Sequence, residues 1–210
     1  MKMKMVTIGV RFAGPLVLAV ALAAPAAWAH QAAAGGMAPP APAAMAPMAP
    51  MAPTSPPAPS PVLEQVKWFA GDWQCTGTGY MAGKGHPTTA KVHMAWDLGG
   101  YFMGLRYEES KSAANPMPVS AVEHWGFSEE RKMLIAGQLD SMGGYGTRAS
   151  GGWQGDTLTW VGETHMMGTT MIGRDTFVKH GDDEVTHLGE VQMNGAWTKQ
   201  DEETCHRVSK

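Results

Sequence analysis

Three kinds of residue in this chain could bind or transform something. The first is sulfur: in MAPMAPMAPT, residues 45–54, Met45, Met48 and Met51 recur at every third position. Pro-rich chain favours the polyproline helix, whose three residues per turn would bring these thioethers onto one edge, a soft face suited to Cu(I). A rise of about 3.1 Å per residue separates successive sulfurs by roughly 9 Å, so two reach one ion only if the helix bends. The stretch therefore reads as a tether. The second kind is histidine. His30 would open a processed chain and could chelate Cu(II) through its amine and imidazole. It stands about thirty residues from any rigid element that could add ligands, so its copper binding would be adventitious. The other histidines, His86, His93, His124, His165, His180, His187 and His206, form no H-x-x-x-H pair, and the cysteines no C-x-x-C, so spacing supports no metal site and no cofactor. The third kind is the loop nucleophile or phosphate cradle. In GYMAGKGHPTT, residues 79–89, only four residues separate Gly79 from Lys84, and Gly85 stands where a phosphate loop needs Ser or Thr. A glycine-rich β-turn explains it better. LDSMGGYG sets Ser141 beside Asp140 but lacks the G-x-S-x-G elbow, and no helix follows. No residue is assigned a catalytic role.

The elements that must carry any site begin with a leader. MKMKMVTIGVR is short and basic, and FAGPLVLAVALAAPAAWA is an apolar run closing on Ala27-Trp28-Ala29, the pattern of a secretory signal over residues 1–29. Gly14, Pro15 and Pro25 leave an uninterrupted stretch shorter than the roughly 20 residues a membrane helix needs, so no span is expected after cleavage. Residues 30–61 collapse to Ala, Pro, Met, Gly and Ser and read as a disordered linker. Residues 62–210 hold all but one of the eight tryptophans and read as one domain, periplasmic or secreted. Its charge is nearly balanced, with acidic clusters at Glu129-Glu130, Asp182-Asp183-Glu184 and Asp201-Glu202-Glu203 and no basic run, which argues against nucleic acid as a partner.

PVLEQVKWFAGDW predicts one short helix, with Pro61 in its first turn, Leu63, Val66 and Phe69 on one face and Gly71 as its stop. Everything after it alternates with period two. Strands are expected over 73–80, 88–97, 101–109, 119–127, 132–141, 145–153, 157–164, 170–179, 184–193 and 196–207, joined by SEER, QGDT, HGDD and the hairpin signal Asn194-Gly195. The fold class is therefore all-β: an antiparallel, up-and-down, roughly ten-stranded meander forming a barrel or sandwich.

The cysteines choose between these. Cys75 falls in the first strand and Cys205 in the last, within an exported and so disulfide-permissive chain. A bond between them makes those strands neighbours, which in a meander of even strand number requires a closed barrel. Antiparallel partners keep a constant index sum, so the register that pairs Cys75 with Cys205 also pairs Trp73 with Arg207 on the same face, where guanidinium would stack on indole.

GDW at Gly71–Trp73, together with Arg207, resembles the lipocalin-like (calycin) arrangement, in which an arginine of the final strand covers the tryptophan of a G-x-W motif at the closed end. FAGDWQCTGTG, WDLGGYFMGLRYE, LDSMG and GRDTF, in that order, resemble a bacterial family known as domain of unknown function 1579. WGFSEE departs from the Gly-Tyr-Asp that this family carries after its fourth strand. The resemblance implies a lipocalin-like barrel and no established reaction. Arg106, Asp140 and Arg174, the polar residues within the family-like segments, are the candidate ligand contacts inside the barrel or at its mouth. The expected ligand is small and apolar or amphipathic, held in an interior lined by tryptophan and methionine. Two alternatives share the architecture. One is a structural or interaction module whose barrel is filled by its own side chains. The other is a haem-binding barrel resembling nitrobindin, with His187 of EVTHLGEVQM as the iron ligand.

Overall fold

The computed structural model describes residues 57–81 and 83–209. Thr54–Lys210 form one compact unit. The expected leader, most of the linker, His30 and Met45, Met48 and Met51 lie outside the described residues.

The chain enters through a 3₁₀ helix, Pro61–Phe69, whose buried residues are Leu63, Val66 and Phe69. Their spacing of three matches the three residues per turn of a 3₁₀ helix, in which i and i+3 eclipse, so the apolar stripe itself selects this geometry over the α-helix. Eleven strands follow: β1 (Gly71–Met81), β2 (Lys84–Asp97), β3 (Phe102–Glu109), β4 (Ser120–Ser128), β5 (Met133–Asp140), β6 (Tyr145–Ser150), β7 (Trp153–Gln154), β8 (Thr157–Met166), β9 (Thr169–Lys179), β10 (Glu184–Met193) and β11 (Ala196–Ser209). The two-residue β7 only opens a hairpin with β8; the other ten pair in sequence, β6 with β8 and β1 with β11, and close an antiparallel barrel. Asn194 and Gly195 both take positive φ, 51° and 81°, as a tight two-residue hairpin turn requires.

Closure follows the cysteine register. Cys75 pairs with Cys205 and Trp73 with Arg207, and the disulfide is formed. The Arg207 guanidinium lies 4.0 Å from the Trp73 ring centroid. It also donates to the carbonyls of Ala70 (2.5 Å) and Trp68 (2.6 Å), while the Trp73 indole donates to the Phe69 carbonyl at 2.8 Å. The carbonyls at the end of a helix have no partner within it. Here one arginine and one tryptophan of the barrel wall supply the donors, which fixes the helix as a plug.

Because the meander is antiparallel, connections alternate between ends. The β2–β3, β4–β5, β6–β8 and β9–β10 connections share the plugged end with the helix. The β1–β2, β3–β4, β5–β6, β8–β9 and β10–β11 connections surround the other end, which no helix plugs among the described residues and which is called the open end.

Candidate functional site

The face that carries Trp73 and Cys75 is the inner one, and the pairing registers carry that assignment around the barrel. On the plugged side the interior is aromatic. Phe69 meets Trp125 at 5.0 Å and Phe177 at 5.4 Å between centroids, and Trp125 meets Trp160 at 5.1 Å. Met94 and Met103 are buried in the same core, so tryptophan and methionine do line this half.

Above this floor the inward positions turn polar. His187 stacks on Phe177 at 4.6 Å, with Nδ1 3.0 Å from Asp201 and Nε2 3.4 Å from Asp175. Arg148 reaches Asp175 at 2.7 Å, Gln138 at 2.6 Å and Glu123 at 3.5 Å, and the Trp125 indole donates to Glu123 at 2.7 Å. Gly162 and Gly173, directly paired across β8 and β9, leave the wall bare where this guanidinium lies. A Cβ on Gly173 would stand 3.4 Å from Arg148 Nη2. Nearer the mouth, Glu203 accepts from Tyr107 (2.9 Å) and Thr88 (3.3 Å), and Glu109 accepts from Asn115 and the Val119 amide, both at 2.8 Å.

These groups shape one another's charge. Burial pushes the carboxyls of Glu123 and Glu203 above their ordinary range, against the attraction of Arg148 on the first and His187 on the second. Burial has the same tendency at Asp175, but the His187 hydrogen bond and the Arg148 charge prevail and hold it low. At His187, burial opposes the imidazolium, yet Asp201 and Asp175 outweigh it and raise its pKa well above 6.5. The stabilisation from a raised histidine is complete below its unfolded value and disappears as pH climbs through the folded one. The urea midpoint of the protein should therefore fall as pH rises above about 6.5. Replacing His187 with Gln should flatten that decline; an unchanged slope would show that another group sets it.

Water still reaches this buried cluster. Glu123 and Asp175 each keep 15% of their side-chain surface accessible, His187 19% and Asp201 34%, although all four point into a closed barrel. Space large enough for water therefore lies between the aromatic floor and the mouth. Two fully buried donors beside it, Arg148 Nε and Trp160 Nε1, have no hydrogen-bond partner among the described residues.

Of the residues expected from sequence, Arg106 and Arg174 face outward and Asp140 lies at the mouth. Arg106 points outward, pairs with Glu108 at 2.8 Å and lines an outer-face depression of about 210 Å³ with Asp140, Val122 and Leu139. Asp140 sits at the open rim, accepting the amides of Met142 (2.8 Å) and Gly144 (2.9 Å) to hold the β5–β6 turn. Arg174 faces outward on the far side, bonded to Glu190 and 4.2 Å from the Trp197 ring centroid. In both GLRYE and GRDTF the neighbouring residue, Tyr107 or Asp175, is the inward one. Parity carried from Trp73 through the hairpins is the signal that separates them.

The haem reading needs a free imidazole nitrogen, and both nitrogens of His187 are turned to carboxylates, so this residue does not fit an iron ligand as it stands. Among the described residues, one group has metal-ligand spacing, Cys75, Glu203 and Cys205, and its two sulfurs are bonded to each other. At the open end Lys84 is the first residue of β2 and Ser141 lies in the β5–β6 turn, its Oγ accepting from the Ser120 amide.

No family model matches the chain, and no curated protein matches it. Among solved structures, the crystal structure of Rv2717c from M. tuberculosis is similar in fold, with a TM-score of 0.55 at 13% identity over 71% of this chain and 99% of that one. The chain is a closed antiparallel β-barrel, and that fold is what it shares with this neighbour.

Proposed function

We propose that the barrel binds a small amphipathic molecule whose apolar body rests on the Trp125–Phe177 floor and whose polar end is neutral or cationic. The water-accessible space among inward-facing Glu123, Asp175, His187 and Asp201 carries this reading. An anionic end is disfavoured, because five inward carboxylates, Glu109, Glu123, Asp175, Asp201 and Glu203, outnumber the cations that lie among them, Arg148 and His187. The leader-like N-terminus and the disulfide support an exported protein, periplasmic or secreted. The order of the motifs supports kinship with the domain of unknown function 1579 family.

Titration with decanol, decyltrimethylammonium and decanoate, read by tryptophan emission, tests the proposal. The alcohol and the ammonium should each saturate a single site, with decanoate at least about tenfold weaker, a difference of ~1.4 kcal/mol. If decanoate binds best the electrostatic reading is wrong. If none of the three saturates, the barrel is a filled structural module.

A further inference from the structure

We infer that the open end of the barrel docks on an anionic lipid surface. Each of the five hairpins at this end presents an exposed methionine, in the connection or as the last strand residue before it: Met81 (43% exposed), Met117 (53%), Met142 (37%), Met167 (75%) and Met193 (49%). Long, polarizable side chains of this kind adapt to irregular apolar surfaces. Tyr145, 53% exposed, adds an amphipathic ring of the type found at membrane interfaces. Met167 occupies its turn at φ 50°, a conformation that Asn or Gly adopts more readily, and there it holds an apolar side chain into solvent.

Charge is segregated in the same sense. The segments between the strands at the open end, 82–83, 110–119, 141–144, 167–168 and 194–195, contain no Asp or Glu, while Lys84 and Lys111 stand exposed among them. The nearest carboxylates, Glu109 and Asp140, are turned onto loop donors. At the plugged end the connections carry five carboxylates, Glu129, Glu130, Asp156, Asp182 and Asp183, against two cations, Arg131 and Lys132. One end is thus apolar and cationic and the other acidic, which orients the barrel mouth-first toward an anionic bilayer. The outer wall, with Lys91, His93, Arg106 and Glu108 facing outward, does not match a lipid-spanning band, so the contact is peripheral. This inference rests on the rim alone and is independent of what the interior binds.

Peptide-resolved methionine oxidation by dilute peroxide tests it, on the protein recovered in soluble form from a periplasmic extract. The comparison is between no vesicles, phosphatidylcholine vesicles, and vesicles with about 30 mol% phosphatidylglycerol. The five rim methionines should be protected severalfold by the anionic vesicles, and less so in about 0.5 M salt, where screening shortens the reach of Lys84 and Lys111. The double variant Met117→Glu, Met167→Glu should lose the protection while its melting temperature stays within a few degrees, since both side chains are exposed. Because the readout is at the rim, binding through the N-terminal leader does not produce it. Rates unchanged by vesicles overturn the inference, and equal protection by pure phosphatidylcholine overturns the assignment to an anionic surface. A vesicle-free dimer seen by sedimentation and abolished by Met167→Glu would make this face a self-association surface and overturn it too.

Discussion

Replacing Cys75 and Cys205 together with alanine should lower the melting temperature by roughly 10–20 °C without unfolding the sheet. The bond closes a loop with a sequence separation of 130 residues. Loop-closure entropy assigns such a crosslink about 4–5 kcal/mol, the upper part of the range that natural disulfides show. In a domain of this size each kcal/mol moves the midpoint by about 2–4 °C. The β1–β11 ladder runs in register from Trp73↔Arg207 to Gly79↔Asp201, so the barrel keeps its closure when the sulfurs are gone. Calorimetry of oxidised, reduced and double-alanine protein checks this. Reduced and double-alanine protein should agree, and a change of less than about 3 °C would mean that the unfolded chain is not restrained in the way the entropy model requires.

The second large effect belongs to Arg148. Its side chain is 11% exposed and stands between Glu123, Gln138 and Asp175. Replacing it with Met keeps the stem and removes the fork, leaving buried Glu123 without its ion-pair partner and Asp175 with His187 alone. Breaking a buried pair from one side costs about 3–5 kcal/mol. The pH dependence identifies the cause. An orphaned buried carboxylate has a raised folded pKa, so its penalty is full above that value and is relieved as pH falls and the group takes a proton. The deficit of Arg148→Met in urea unfolding should therefore be large at about pH 8 and smaller at about pH 5. Arg148→Lys should recover only part of it, because an ammonium cannot reach three partners in a fixed plane. A deficit below about 1 kcal/mol and equal at both pH values would mean that the cluster is already neutral in the native protein.

Much of the architecture is legible in the sequence because it is local. The expected strands coincide with the observed ones to within about two residues at each end, except that the second begins at Lys84 and not at 88, and 145–153 ends early, at Ser150, before the two-residue β7. The alternation is strong, and turns such as Asn194-Gly195 are set by backbone conformation that few residues tolerate. The two cysteines add one long-range constraint, and a single register then places Trp73 against Arg207. The short helix was also readable, since Leu63, Val66 and Phe69 share one face; its 3₁₀ type was not among the expectations. The polar interior was hidden for a different reason. Arg106 beside Tyr107, and Arg174 beside Asp175, differ only in which side of the sheet they face, and strands with many glycines carry a weak inside-outside pattern. Glu123, Arg148, His187 and Asp201 come from four strands and meet only after closure, so no spacing along the chain announces them.

The arginine that caps the helix has a further consequence, for the order of assembly. Arg207 bonds to carbonyls 137 and 139 residues earlier in the chain, and the same strand carries Cys205 and completes the ring. Plug, covalent lock and last ladder all wait for β11. Until it arrives β1 and β10 are unpaired edges, each a template for another chain. Contacts of such long sequence separation are slow to form. The barrel must therefore stay open until β11 is available, and loss of that strand would expose two sticky edges at once.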